Sequence, residues 1–278
     1  SNLRFGYNMR IYRPGIWYLN PYLNDSNPTN ISQGNSHLDS EKSHSFNLSY
    51  SNFTQKFNIN LSARYSFTNN SIEQVTEQVK DTEIEGLQNP TGKEVLYSTY
   101  QNIGKSRNAS LSGYVNWNAT SNTRIYANLY GNYTYMEGAN GLKNDGWNLF
   151  AYGGAQQSLP HDWRISLNIY GQTPWIMLQG KGSSFFDYGL SVNKSFLNKR
   201  LTLSAFASNF FKKYTSPTSS IEGVGFTQDS WNRYTRQRFG VSVSYRIGEL
   251  KASVKKAART ISNDDVKGGG GEGGGGGE

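Results

Sequence analysis

Between Phe57 and Phe67 every odd position is apolar or aromatic (Phe57, Ile59, Leu61, Ala63, Tyr65, Phe67) and every even one is polar (Asn58, Asn60, Ser62, Arg64, Ser66). A repeat of two marks a strand with one oily face; an amphipathic helix repeats every 3.6 residues. The alternation returns along the chain. Leu3, Phe5, Tyr7, Met9 and Ile11 form one row, Phe46, Leu48 and Tyr50 the next, and Ala109, Leu111, Gly113, Val115 and Trp117 a third. Then come Ile125, Ala127, Leu129, Gly131, Tyr133 and Tyr135, followed by Trp163, Ile165, Leu167 and Ile169. The last rows are Tyr188, Leu190 and Val192; Leu201, Leu203, Ala205 and Ala207; and Phe239, Val241, Val243, Tyr245 and Ile247. A weaker row, Leu149, Ala151, Gly153, Ala155 and Leu159, is interrupted by Gln157. Lys194 falls on the oily row of its strand near the strand end, where a long side chain can snorkel to a polar boundary. The pattern predicts an all-β fold of about ten strands, each of roughly 10–13 residues. Strands of soluble domains run to about 5–6 residues, whereas tilted membrane-spanning strands need about 9–11. The expectation is an antiparallel transmembrane β-barrel portion.

The connections sort by parity. Short ones are expected near 52–55, 120–123, 160–162 and 197–199, and long ones over roughly 12–44, 68–105, 136–146, 172–184 and 210–235. Outer-membrane barrels carry short periplasmic turns and longer extracellular loops. That rule puts the long loops outside the cell and the C-terminus in the periplasm. Rings cluster at the strand ends: Tyr50, Phe57, Trp117, Trp163, Phe196 and Tyr245 at the short-turn end, Tyr65, Phe67, Tyr133, Tyr135 and Trp147 at the other. Such girdles are expected at both interfaces of a barrel in lipid. The opposite rows hold short polar residues such as Asn58, Asn60, Ser62, Ser110, Ser112, Asn128 and Asn168, which predicts a wet lumen holding water or a plug. A sheet with one face in lipid has to close, because lipid satisfies no edge N–H or C=O group. The chain opens inside a strand pattern at Asn2-Leu3-Arg4-Phe5, and its loops are large for a ten-strand barrel. It therefore reads as the C-terminal portion of a larger barrel whose N-terminal strands lie upstream.

Composition sharpens this picture. Hydrophobic residues make up 35% of the 278 and mean hydropathy is −0.68, as in a very soluble or disordered chain, yet aromatics reach 14%. Disordered chains are poor in aromatics, so alternating strands reconcile the two numbers. No window of about 18 apolar residues offers a membrane helix. The absence of Cys removes disulfides, thiolate metal sites and cysteine nucleophiles. Part of the net charge of +8 lies in Lys251, Lys255, Lys256 and Arg259. These belong to a tail unlike the rest: Leu250, Val254, Ala257, Ala258 and Ile261 share a helical stripe, and 268–278 is nearly all Gly. The expected organisation is a barrel portion over 1–248 and a periplasmic basic helix with a disordered Gly-rich tail over 249–278.

One stretch carries a family resemblance. Arg10-Ile11-Tyr12-Arg13-Pro14, then Leu19-Asn20-Pro21-Tyr22, Asn27-Pro28 and Gly34-Asn35-Ser36-His37-Leu38-Asp39-Ser40-Glu41 resemble a signature in the barrel of TonB-dependent receptors. The likeness is strongest to outer-membrane β-barrel family proteins related to SusC-type receptors, with Ser36 and Ser40 standing where that signature has Pro. The ending Tyr245-Arg246-Ile247-Gly248, with Lys255-Lys256-Ala257 and Asn263-Asp264-Asp265, is similar to the same group. The resemblance implies a barrel of about 22 strands with a plugged lumen. It also implies a Gram-negative outer-membrane location among lipids, an extracellular ligand to be imported, and contact with TonB through a plug that this chain does not hold. No cofactor is implied. The alternatives are a non-transporting surface barrel such as an adhesin, and third an omptin-like outer-membrane protease.

The residues give enzyme chemistry little support, and no catalytic or metal site is expected. His37 and His44 lie in or beside the first long loop near Asp39 and Glu41, and His161 lies in a short turn on the other side. A catalytic dyad needs a carboxylate within hydrogen-bond reach of the imidazole, which nearness in sequence does not supply. No His-x-x-x-His or acidic-loop metal spacing occurs. Nucleic acid is not an expected partner, because the aromatic rows face away from Arg64, Arg124, Arg164 and Arg246, and stacking platforms interleave the two. Ligand contacts are expected from long-loop aromatics: Trp17, Tyr18, Tyr22, Trp147, Trp175 and Trp231.

Overall fold

The computed structural model describes residues 1–138, 141–247 and 266–267. Ten long strands dominate: β1 (Asn2–Pro14), β2 (Glu41–Phe53), β3 (Phe57–Thr68), β4 (Lys105–Asn118), β5 (Thr123–Glu137), β6 (Lys143–Leu159), β7 (Trp163–Gln172), β8 (Phe185–Phe196), β9 (Leu201–Ser208) and β10 (Arg238–Tyr245). They lie side by side in chain order, each antiparallel to the next. The strand count exceeds ten, because Val266–Lys267 joins this sheet beside β1 and short strands in the long loops build three further sheets. The main sheet is an open wall: β10 ends it on one side and β1 with its two-residue partner on the other. No helix among the described residues is long and apolar enough to cross a membrane.

The alternation sets the register. Rungs such as Tyr50, Leu61, Gly113, Leu129 and Ala151 run straight across β2 to β6, so every oily row falls on one face. A slip of one residue would turn a whole row to the other side. That face is bare: Leu111 is 63% exposed and Val241 78%. The oily rows therefore do not meet in a shared dry interior, as they would in a sandwich. Rings stand at the predicted levels, with Tyr133 and Trp147 at 5.4 Å near the long-loop end. At the other end the Lys194 ammonium lies 5.5 Å from the Trp163 ring centre and 5.2 Å from that of Phe196. Lys194 also donates to the His161 carbonyl, as a snorkelling lysine should.

Three expectations need correction. Strand reaches into the connection expected over 136–146 from both sides, since β5 runs to Glu137 and β6 starts at Lys143. Backbone pairing continues into water without an oily row to support it, so alternation underestimates a hairpin that rises above the bilayer. His44 is not a loop residue: it sits on β2 in the outward row, stacked 4.8 Å from Phe67 and accepting or donating a 2.8 Å bond with the Tyr7 hydroxyl. Finally, Val266–Lys267 pair in parallel with Arg13–Pro14, at the long-loop end of β1, whereas the tail was expected on the short-turn side where β10 finishes. An exposed strand edge is a template that any extended segment can join. The helix expected within 249–261 and the Gly-rich run 268–278 lie outside the described residues.

The dry core is in the long loops. Ile31, Ile84 and Val95 form one buried cluster, against which Leu23, Val79, Leu87 and Tyr97 pack. Val75, Ile103 and Leu178 form another. The strands Leu23–Asn24, Asn30–Gln33, Glu94–Asn102 and Ile72–Lys80 make one loop sheet from the first two long loops. Hairpins Ile176–Met177/Gly180–Lys181 and Thr218–Gly223/Phe226–Trp231 make a second, joining the fourth and fifth.

Candidate functional site: the inward wall and its mouth

The inward face is not simply short and polar. Its rungs across β4 to β8 read Asn116, Tyr126, Gly154, Asn168, Gly189; then Tyr114, Asn128, Tyr152, Tyr170, Asp187; then Ser112, Tyr130, Phe150, Gln172, Phe185. The rings touch in sequence. Tyr126 and Tyr152 lie 5.7 Å apart, Tyr152 and Tyr170 6.3 Å, and Tyr170 and Phe185 4.8 Å, with Phe150 5.2 Å from Tyr170. Gly154 makes room at the lower end: a Cβ there would stand 2.7 Å from the Tyr126 hydroxyl and 2.5 Å from the Leu167 carbonyl oxygen. The track climbs from the short-turn side to the long loops, with a cation at each end. Arg124 lies 5.5 Å over Tyr126 and donates from Nε to Asn116 Oδ1 at 2.5 Å. Arg236 lies 5.5 Å from the Phe185 ring centre and 5.2 Å from that of Tyr234.

Arg236 is held by a built frame. It donates to Asp187, and from Nη2 to the Tyr234 hydroxyl at 3.1 Å. Asn209, in the left-handed region with φ 49°, donates to Asp187 Oδ1 at 2.8 Å and accepts the Tyr188 N–H at 3.2 Å. Asn adopts that backbone more readily than most residues. The Tyr234 hydroxyl raises the Arg236 pKa, burial opposes it and the Asp187 charge adds to the rise, so the guanidinium stays charged. A small ribbon, Tyr214–Thr215 against Tyr234–Thr235, brings Lys213 and Arg233 over Tyr214 at 5.2 and 4.3 Å. Two cavities adjoin it. One of about 690 Å³ is lined by Gln172, Phe185, Lys212 and Arg236, and one of about 400 Å³ by Asn168, Asp187, Arg236 and Arg238. Chemically, this mouth offers fixed positive charge and flat apolar faces side by side.

Above the wall the loops are tied together. Thr76 N–H donates to Gln179 Oε1 at 2.7 Å, and Gln179 Nε2 returns a bond to the Thr76 carbonyl at 2.8 Å. Gln228 Nε2 donates to Asn30 Oδ1 at 2.8 Å, linking the fifth loop to the first. A cavity of about 280 Å³ at the junction is lined by Tyr18, Ile72, Glu73, Tyr100, Leu178 and Ile221. Tyr18 packs edge-on to Tyr100 at 4.5 Å. Burial, then the nearby Tyr100, Glu73 and Glu41, push its hydroxyl pKa up, so it remains a hydrogen-bond donor.

Of the six aromatics expected to bind ligand, Tyr18 alone lines this junction. Trp17 and Tyr22 are exposed on the first loop, and Trp231 ends a strand of the fifth-loop hairpin, also exposed. Trp175 lies flat over Gly182 within the fourth loop. Trp147 belongs to the outward girdle with Tyr133. The six are not brought together. Sequence reasoning missed Tyr126, Phe150, Tyr152, Tyr170 and Phe185, although the signal was present: the rows opposite the oily ones contain rings. Glu41 and His44 point to opposite faces of β2, so the strand does not pair them. Among the described residues no group of three or more His, Asp or Glu side chains could hold a metal ion.

A wall of long antiparallel strands, oily outside and ring-lined inside, defines an outer-membrane β-barrel. Residues 1–245 match the model of the outer membrane protein beta-barrel family, and the chain belongs to that family. Among solved structures it is similar to one described as the copper transporter OprC, with TM-score 0.59 and 14% identity over 87% of this chain and 37% of that one. The chain thus spans little more than a third of that neighbour's length, and at this identity the likeness is one of fold. No curated protein matches.

Proposed function

We propose that the chain is part of the wall of a TonB-dependent, SusC-related outer-membrane receptor. It binds an extracellular ligand under the tied loops and passes it along the inward track. Energy comes from TonB acting through a plug that, with further strands, lies outside this chain. The work is binding and passage, without covalent chemistry. The observation that carries this reading is the ring track ending at the framed Arg236: flat faces and a fixed charge suit a ligand in transit better than a sealed structural wall. The family supports the outer membrane, and the signature beginning at Arg10 supports the receptor class. The neighbour's copper is not carried over. The folded loop cap with exposed Trp17, Tyr22 and Trp231 favours one second reading, a surface barrel that binds without transporting.

The test uses cells carrying the full-length protein, with and without TonB, offered a panel of oligosaccharides, peptides and porphyrins followed by mass spectrometry. The receptor reading expects one compound to be depleted only in the TonB-positive strain, with Arg236→Gln reducing its depletion. Binding indifferent to TonB would leave the surface barrel, and cleaved peptides would leave the protease.

A further inference from the structure

The outward face carries a feature that transport does not use. On β3 and β4 the oily row drops to Ala63 and Ala109, while Phe46 and Tyr65 rise on one side and Leu111 and Trp147 on the other. These side chains enclose an apolar groove of about 380 Å³ open to the bilayer. Its lining comes from β2, β3, β4 and β6, with Phe5 of the edge strand β1 on its rim.

Charge appears directly above it. Arg107 is the next outward residue on β4 beyond Ala109, and Lys105 the one after. At about 3.4 Å per residue they stand roughly 7 and 14 Å from Ala109 along the strand. Arg107 lies 5.2 Å over the Phe67 ring and donates to Asn69 Oδ1 at 3.1 Å, so its plane is already oriented. Lys105 and Lys143 flank Glu137 at 3.9 and 3.7 Å. Glu137 also accepts the Tyr135 hydroxyl at 3.0 Å, and Asp145 accepts that of Tyr133 at 2.7 Å. Lys42 faces the same way on β2, one outward position beyond His44. The four cations Lys42, Lys105, Arg107 and Lys143 thus outnumber the two carboxylates, each of which has a tyrosine hydroxyl on it.

We infer that the groove and this cationic row form a site for one anionic phosphorylated lipid of the leaflet at the long-loop end. An acyl chain lies over Ala63 and Ala109, and the phosphate meets Arg107 and Lys105. Any lipid gains from the groove, because burying methylenes is favourable. A phosphate with net negative charge gains further from the guanidinium, whose fork matches phosphate oxygens and which desolvates at lower cost than an ammonium, whereas the phosphate of phosphatidylethanolamine is already balanced by that lipid's own ammonium. The site acts from outside the wall and is independent of the ligand in the lumen. It rests on the oily rows facing lipid, and its leaflet on the long loops lying outside the cell.

The experiment is native mass spectrometry of the full-length protein in non-ionic detergent with Kdo2-lipid A or phosphatidylethanolamine. The wild type should retain one lipid A at concentrations where phosphatidylethanolamine is lost. Arg107→Gln with Lys105→Gln should weaken lipid A about tenfold or more without moving phosphatidylethanolamine. Ala109→Trp, which fills the groove and keeps the charges, should weaken both; if heat-modifiable migration shows that it does not fold, Ala63→Leu replaces it. Equal retention of the two lipids, or charge variants identical to wild type, would overturn the site. The leaflet is read separately, by labelling Val224→Cys in the fifth loop of intact cells with a membrane-impermeant maleimide. Labelling supports the outer leaflet, and its absence overturns that assignment whatever the lipid data show.

Discussion

Asn128 and Leu129 are adjacent on β5, at one depth and on opposite faces. Leu129 is 58% exposed on the outward side and lies six positions above Thr123, where the strand begins. Six steps of about 3.4 Å at a tilt near 45° give a height of roughly 14 Å. The apolar band of a barrel is about 25 Å tall, so Leu129 sits close to its middle. Leu129→Arg should therefore cost about 2–4 kcal/mol, a factor of roughly 30 to several hundred in the folding equilibrium. Asn128→Arg puts the same side chain between Tyr114 and Tyr152 on the neighbouring strands, facing the lumen. Water and two ring faces can receive it there, and the expected change is within about 0.5 kcal/mol. The assay is urea-dependent folding of the full-length protein into phosphatidylcholine vesicles, read by tryptophan fluorescence and heat-modifiable migration. Equal costs at the two positions, or a larger one at Asn128, would refute the assignment of the outward rows to lipid and everything that follows from it.

Three further outcomes test other parts of the structure. Ile31→Ala removes the centre of a loop cluster in which Ile31 is 2% exposed, and should cost the cap about 2–5 kcal/mol; hydrogen exchange should then rise in 23–33 and 79–97 while β4 to β7 stay protected, and loss of barrel migration would refute the separation of cap from wall. Asp81 accepts the N–H groups of Thr91 and Gly92 at 2.6 and 2.7 Å and the Thr91 hydroxyl at 2.8 Å, and these bonds, the Thr91 N–H first, lower its pKa from 3.8. A depressed folded-state pKa contributes stability above the unfolded value that is lost as pH falls through the folded one, so protection of the Thr91 and Gly92 amides should hold from pH 7 to 5 and fall below about 4; Asp81→Asn should lose it at every pH, and a transition near pH 6 would contradict the assignment. Lys194→Glu should lower folded yield more than Lys194→Gln, because it reverses the charge over Trp163 and Phe196 and beside a carbonyl; equal yields would show that the cation contributes nothing, against the roughly 0.5–1 kcal/mol expected.

The membrane-spanning part of this fold was legible because lipid imposes one requirement on each strand. Alternation from Phe57 to Phe67 settles a face, a register and a depth together, and the end rings settle the two boundaries. Outside the bilayer that requirement disappears. β6 keeps pairing through Lys143, Asn144, Asp145 and Gly146 with no oily row to announce it. The loop core is assembled from single residues, Ile31, Ile84, Val95 and Leu178, scattered over three loops, and no local period marks which of them will meet. Its ties are equally silent: nothing near Thr76 in sequence points to Gln179.

The candidate site was hidden for a different reason. Tyrosine serves both faces of this sheet. Tyr133 and Tyr135 belong to the outward girdle, while Tyr126 and Tyr130 on the same strand face the lumen. Composition cannot separate them; parity can, and parity places Tyr126, Tyr152 and Tyr170 opposite the oily rows. A tyrosine is costly in the middle of lipid, where its hydroxyl has no partner, and inexpensive in a wet lumen, where the ring remains exposed as a flat face. A ring that stands mid-strand on the inward side is therefore not there to satisfy the membrane. Short Asn and Ser residues would keep the same wall soluble inside and oily outside. That the rings also touch one another and end at a framed arginine is a constraint the barrel itself does not impose, and it is the observation on which the proposed passage of a ligand rests.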